Sequence, residues 1–392
     1  MDIEILRKVP AIQEFFNIEE DKELPEGTKL FLEAMSEVTI LAGQDIVTFG
    51  NECEDGMYII LEGTTDVFSD KGQLINNLGK GDFIGEMGLI NDGLRGATVR
   101  ATTDVVCANI SKSLFEEMAA ANKKLYGTFI NMLYNKTTKL VTERERIKSE
   151  LEVATRIQDS CLEHDFTEFN KLNNIKIIAK MRPAKEVGGD FYDVFMIDDK
   201  RLCFLIADVS GKGVPAALFM SMAKTYIKTY ATLGLPLAEV ASKANNQLCY
   251  KNEQGMFVTA FICVLDLETN EVKFINAGHN RPFVKKADGQ FEMIPAKVNL
   301  VFGMMEDIPY KEQNFVLDQG DCIYMYTDGV TEAVNPKDEL LGDSYITDVL
   351  NKHIEKSINV EQFVDVIFDE VDTFADGAMQ ADDITMVYLS RQ

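Results

Sequence analysis

Apolar and polar positions divide the chain into three stretches with different periods. After a short amphipathic start (Ile5, Leu6, Val9, Ile12, Phe15, Phe16), apolar patches recur at Val38 to Leu41, Ile46 to Phe49, Met57 to Leu61 and Val67-Phe68. Turns bearing Gly43, Gly50, Gly56, Gly63 and Gly72 cut between them. Short strands at that spacing predict an antiparallel β-roll or jelly roll. From about Lys112 to Leu162 glycine is nearly absent and proline wholly so. There Ile130, Leu133, Thr137, Leu140, Arg144, Ile147, Leu151, Ala154, Gln158 and Cys161 alternate in steps of three and four. Those are a and d positions of a coiled coil. Thr137, Arg144 and Gln158 weaken the seam. A parallel dimeric coil and a helix packed on its own chain both satisfy this period.

The third stretch holds apolar runs at Ile175 to Met181, Leu202 to Asp208, Met256 to Leu267, Val272 to Ala277, Cys322 to Thr327 and Ile384 to Leu389. Many are apolar on both phases, so sheets covered on both faces are expected. Helical patterns run from Pro215 to Ala231, Leu237 to Tyr250, Ile346 to Ile354 and Val360 to Phe374. Pro215 suits a first helical turn. Strands and helices do not alternate one for one, which predicts α+β with two central sheets and helices outside. The expected division is residues 1–113, a helical linker over 114–164, and 165–392.

Composition narrows the class. The 392 residues are 46% apolar and 26% charged, with a net charge of −25. That charge disfavours nucleic acid, whose affinity comes largely from basic residues on phosphates, and disfavours an anionic membrane surface. The longest apolar stretch, Met256 to Leu265, is about half the ~20 residues of a membrane helix. The N-terminus lacks the basic and apolar regions of a signal peptide. The seven cysteines are scattered, without a C-x-x-C, and read as reduced core residues. The expectation is a cytoplasmic protein.

Chemistry concentrates in two places. In the third stretch, acids stand where apolar runs begin or end: Gly188-Gly-Asp-Phe-Tyr-Asp193, Ala207-Asp-Val-Ser-Gly-Lys-Gly213, Tyr326-Thr-Asp-Gly329 and Asp382-Asp-Ile-Thr385. Carboxylates converging from strand ends form a cluster too negative to persist without cations, and Mg²⁺ and Mn²⁺ prefer such oxygen ligands. In the first stretch, Gly81 to Ile90 is a glycine-rich bend carrying Glu86, and Arg95-Gly-Ala-Thr-Val99 follows. Backbone N–H groups near Gly85 and Gly88 and the Arg95 guanidinium can cradle an anion. Glu86 can accept from a sugar hydroxyl.

The first domain resembles the cyclic-nucleotide-binding domain with its phosphate-binding cassette. The resemblance implies that Gly85, Glu86, Arg95 and Ala97 bind cyclic phosphate and ribose: Glu86 the 2′-hydroxyl, Arg95 the exocyclic phosphate oxygen. Leu94 departs from the usual proline. Gly96 offers no hydroxyl to a guanine amino group, which favours cAMP over cGMP. A roll that binds no nucleotide and serves as a dimer platform is the alternative.

The four acidic motifs, with Asn276-Ala-Gly-His-Asn280, resemble PPM-type metal-dependent serine/threonine phosphatases of the SpoIIE/RsbU-like branch. Glu150 to Leu162 resembles the switch helix preceding such domains. The resemblance implies an α-β-β-α sandwich and two Mn²⁺ or Mg²⁺ ions. Asp208 would bridge them with help from the Val209 carbonyl, Asp190 would hold the first through water, and Asp328 and Asp382 the second. It implies attack by a metal-activated water without a phosphoenzyme. Asp383 is assigned to hydrogen bonding around the site, and Asp193 has no assigned role. The arginine that binds substrate phosphate in many relatives falls at Glu186 here, and the histidine following the bridging acid is absent. A docked protein substrate is therefore expected, with a STAS-type anti-sigma-factor antagonist implied by the branch. His279 is a candidate acid or a structural turn residue. The whole reads as a cyclic-nucleotide-regulated protein phosphatase, homodimeric through the linker. The alternative is a nucleotide-sensing scaffold with a silent phosphatase fold. A transcription factor is excluded: no helix-turn-helix follows the first domain.

Overall fold

The structure is a computed structural model and describes residues 6, 12–13, 23–24, 26–86, 93–121, 123–172, 174–287, 289–354 and 360–392. It divides into two compact units, Met1–Glu145 and Arg146–Gln392. Among the described residues, no helix is long and apolar enough to cross a membrane.

The first unit holds α1 (Glu26–Ala34), β1 (Ser36–Ile40), β2 (Asp45–Val47), β3 (Met57–Glu62), β4 (Thr65–Phe68), β5 (Leu74–Leu78), β6 (Phe83–Ile84), β7 (Thr98–Ala101), β8 (Val105–Ile110) and α2 (Lys112–Ala121). Two four-stranded antiparallel sheets form, in the orders β1-β8-β3-β6 and β2-β7-β4-β5. Ile60, Ile84, Val99 and Cys107 close the space between them. Phe31, Leu32 and Phe115 pack against Met57, Ile59 and Ile110 on another face. The expected roll with flanking helices is therefore present. The cassette residues Met87 to Ile90, Gly88 included, lie outside the described residues.

Helix α3 (Lys123–Ser160) follows, and the division between the units falls within it. Within the 112–162 run the described helical residues are those of α2 and α3, and Asn122 between them lies outside the described residues. The side chains of Ile130, Leu133, Thr137 and Leu140 lie outside the description. From Val141 to Glu150 every residue is exposed.

The second unit is built from β9 (Ile175–Arg182), β10 (Phe191–Met196), β11 (Arg201–Val209), α4 (Val214–Thr232), α5 (Leu237–Cys249), β12 (Val258–Asp266), β13 (Glu271–Ala277), β14 (Phe283–Lys285), β15 (Phe291–Met293), β16 (Val298–Asn299), β17 (Gln313–Val316), β18 (Cys322–Tyr326), α6 (Asp328–Thr331), α7 (Gly342–Ile354), α8 (Val360–Ala375) and β19 (Ile384–Arg391). One sheet runs β10-β11-β12-β13-β16 with β17 also on β13, and the other runs β15-β14-β18-β19-β9.

Alternation along the strands explains why both phases are apolar. Ile177, Ala179, Ile323, Met325, Val387 and Leu389 join the core of the first sheet, with Phe204, Ile206 and Phe261. Their neighbours Ile178, Tyr324, Tyr326 and Tyr388 turn the other way, onto Ile346, Leu350, Phe363 and Ile367 of α7 and α8. Ala216, Met220, Ala223 and Ile227 of α4 and Val240 and Ala244 of α5 cover the first sheet. The layers are helix, sheet, sheet, helix, as expected. Sequence patterning passed over β10, whose residues belong to an acidic motif, and the short strands β14 to β17.

Candidate active site

Antiparallel pairing brings the acids together. Phe191 of β10 lies opposite Ala207 of β11, so Asp190 comes beside Asp208 at the end of that ladder. On the other sheet Tyr326 of β18 pairs with Met386 of β19. Thr327 and Asp328 therefore leave β18 next to the segment Asp382 to Thr385. Each sheet contributes two of the four predicted acids at one end.

Electrostatics confirm the proximity. Burial, then the carboxylates of Asp328, Asp382 and Asp383, push the Asp208 carboxyl up to about 7, against the lowering effect of a hydrogen bond shared with Asp190. Asp190 is 1% exposed and held well above the carboxylate range, by burial first and by Asp208 second. Burial, Glu332 and Asp382 raise Asp328, opposed by the Gly329 N–H and by Lys212. Divalent cations would relieve both the burial and the repulsion, and the all-oxygen donor set suits hard divalent ions. As the side chains stand, no three acidic, histidine or cysteine groups among the described residues close around a common point. The carboxylates have other partners. Thr327 and Thr385 each donate to Asp190 Oδ2 at 2.7 Å. Lys212 Nζ donates to Asp382 Oδ2 at 2.7 Å and to the Ala381 carbonyl at 2.6 Å.

The loop bearing Asp190 is fixed by three residues from elsewhere in the chain. Asp383 accepts from the N–H groups of Ala184 and Gly189, both at 2.7 Å, which gives it a loop-organising role. Gln158 of α3 grips Gly188 from both sides: its amide donates to the Gly188 carbonyl at 2.6 Å and accepts from the Gly188 N–H at 3.0 Å. Thr155 donates to the Glu186 carbonyl at 2.6 Å. Glycine is required here. A Cβ on Gly188 would overlap the Asp383 carboxylate, and one on Gly189 would lie 2.8 Å from the Val209 carbonyl. Gln158 is therefore buried in its own unit, which corrects its reading as a coiled-coil seam residue.

Two further acids and bases find structural partners. Asp193 is 2.7 Å from Lys224 and 3.4 Å from Lys228, a buried pair between β10 and α4. His279 is 5% exposed, and its Nδ1 lies 2.8 Å from Thr259 Oγ1. Asn276 closes its turn, accepting from the His279 N–H at 2.8 Å and donating to its carbonyl at 2.9 Å. Burial holds the imidazole down at about 4, so the ring is uncharged near pH 7 rather than an imidazolium.

In the first unit Arg95 is 4% exposed. Its backbone is pinned between Asn51 and Gly50, at 2.8 and 2.9 Å. The guanidinium donates to the Gly85 carbonyl at 3.0 Å, to the Gly56 carbonyl at 2.6 Å and to the Asp55 carboxylate. Gly85 has a φ of +74°, and a Cβ there would overlap the guanidinium. Glu86 and Ala97 are both half-buried, and Ala97 directly precedes β7. Gly85 and Arg95 are thus brought into contact, and the guanidinium expected to meet a phosphate holds Asp55. Sequence reasoning missed Asp55, forty residues away.

The family described as Stage II sporulation protein E matches residues 198–392, and the cyclic nucleotide-binding domain matches residues 37–122. Phosphoserine phosphatase RsbU of Bacillus subtilis is 30% identical over 262 residues, 67% of this chain and 76% of its own length. Protein IcfG of Synechocystis sp. is 28% identical over 270 residues, 62% of this chain but only 41% of the relative. Among solved structures, the SiaA-PP2C domain of Pseudomonas aeruginosa superposes with a TM-score of 0.55 at 19% identity, covering 64% of this chain and 98% of that domain. That last likeness is one of fold. The chain belongs to the SpoIIE/RsbU-like branch of the PPM-type serine phosphatases, with a cyclic-nucleotide-binding domain ahead of the phosphatase domain.

Proposed function

We propose that this chain removes phosphate from phosphoserine or phosphothreonine on a partner protein, dependent on divalent metal and controlled by a cyclic nucleotide. The observation that carries the reading is that Asp190, Asp208, Asp328 and Asp382 are gathered at one end of two sheets, with Asp208 pushed up to about 7 by burial first and by neighbouring carboxylates second. Asp190, Asp208, Asp328 and Asp382, with the Val209 carbonyl, would be the residues that hold two Mn²⁺ or Mg²⁺ ions. When bound, the ions supply Lewis acidity that activates water and offsets charge on the phosphoryl oxygens. The protein's own part is to hold the acids in place. Thr327 and Thr385 orient Asp190, and Asp383 and Gln158 fix the loop that carries it.

A protein substrate accords with the surface beside the site. Val214, Leu218 and Met222 recur every four residues on α4 and are 44%, 64% and 41% exposed. Phosphoserine phosphatase RsbU supports the substrate class, and a STAS-type antagonist is its proposed bearer. In the first unit the cyclic phosphate would take the Arg95 fork from Asp55, with Glu86 on the ribose and cAMP preferred. Apolar Val141, Ile147 and Ile157, each about half exposed or more along α3, support pairing of two chains through that helix.

The test is phosphate release from a phosphoserine peptide with Mn²⁺. Asp208→Asn and Asp382→Asn should each abolish it while the fold survives, since removing a carboxylate relieves repulsion. Near-normal turnover in either variant, with metal stoichiometry unchanged, contradicts the assignment. A wild-type chain that binds Mn²⁺ and nucleotide but releases no phosphate is the silent scaffold.

A further inference from the structure

Lys212 is the residue of the acidic motifs that the roles above leave unused. It lies four residues beyond Asp208, between Gly211 and Gly213. Both glycines have positive φ, +87° and +78°, and nothing lies within 4 Å of where their Cβ atoms would be. They set the path of the backbone there without packing against anything, which leaves the lysine room to move. Its ammonium pairs with Asp382 at 2.7 Å and reaches the Ala381 carbonyl at 2.6 Å. Arg182 pairs with Asp372, and Lys224 and Lys228 with Asp193. The Lys212–Asp382 pair is partly exposed, 36% on lysine and 30% on aspartate, so it is weak enough to exchange.

The geometry points to Lys212 as an exchangeable counter-ion that holds Asp382 in the metal-free site and, once a divalent cation takes that carboxylate, turns its ammonium to the phosphoryl oxygens of the substrate. The two roles are linked by charge. An ammonium and a divalent cation compete for one carboxylate oxygen, and the displaced ammonium lies beside a newly cationic site that attracts a phosphate dianion. A lysine suits both, being a compact charge with three donors on a flexible stem. The second role rests on the phosphatase reading above.

The experiment compares the full-length wild type with Lys212→Met and Lys212→Arg. Calorimetric titration with MnCl₂ should show Lys212→Met binding Mn²⁺ about two- to five-fold more tightly, the range of a partly exposed ion pair. Inorganic phosphate, titrated into the Mn²⁺-loaded proteins, should bind Lys212→Met roughly ten-fold more weakly, the scale of one charge-assisted hydrogen bond. Lys212→Arg should restore phosphate binding. A Lys212→Met protein with unchanged or weaker Mn²⁺ affinity overturns the counter-ion role, and unchanged phosphate affinity overturns the substrate role. Both titrations are read without turnover. A wild type that fails to hydrolyse phosphoserine would therefore count against the phosphatase reading and leave these outcomes legible.

Discussion

Asp208 is controlled by its neighbours, and its ionisation gives a measurable stability signature. Its carboxyl titrates at about 7 in the folded chain, above its ordinary value of 3.8. The folded state therefore holds this proton where the unfolded state has lost it. That favours folding at low pH, and the advantage disappears as pH rises from about 4 towards about 7. Urea unfolding of metal-free protein should show this loss between about pH 4 and about pH 7, and Mn²⁺ should recover it above that range. Asp208→Asn should flatten the slope, and an equal slope in that variant would refute the cause. Arg95 makes the parallel case in the first unit. Arg95→Ala should remove the rise in melting temperature produced by cAMP, which follows from binding to the folded state alone. Asp55→Asn should strengthen cAMP binding, because it removes the carboxylate that the guanidinium now holds. Weaker binding in Asp55→Asn would mean that Asp55 builds the cradle rather than competing for it.

At the scale of elements, what was legible in sequence was what lies close in sequence. Short apolar patches cut by glycine-bearing turns announced the roll, both-phase apolar runs announced the paired sheets, and acids at the ends of those runs announced the cluster. The partners of those acids were not legible, because they arrive from far along the chain. Thr327 and Thr385 lie 137 and 195 residues from the Asp190 they orient. Asp383 organises a loop 194 residues away at Gly189. A threonine after a strand carries no signal until pairing places it. Gln158 misled for a related reason: its heptad position is equally an inward position against its own unit. Helix α3 is thereby tied to the first acidic loop. Gln158→Ala leaves the Gly188 N–H and carbonyl buried without partners. It should cost about 1–3 kcal/mol of stability in urea unfolding and cut the response of Mn²⁺ affinity to cAMP. Full stability with an intact response would show that the grip is incidental.

At the scale of the molecule, helix α3 begins within the first unit and ends within the second, where Gln158 grips the loop of Asp190. A helix transmits displacement where a glycine-serine linker would not. A bias exerted at Arg95 has a covalent route to Gly188, and coupling of this kind is typically about 1–3 kcal/mol, or roughly 5–150-fold in an equilibrium. The isolated second unit should be cut at Arg146 rather than near Asp165, since Leu162 belongs to its core and Gln158 to its site. The most direct measurement is phosphate release from a phosphoserine protein at fixed, subsaturating Mn²⁺, with and without cAMP. It would be made on the full chain, on Arg95→Ala and on residues 146–392. The account predicts that cAMP shifts the rate several-fold in the full chain and leaves the other two unchanged. A shift of equal size in Arg95→Ala, or none in a wild type shown to bind cAMP, would contradict it.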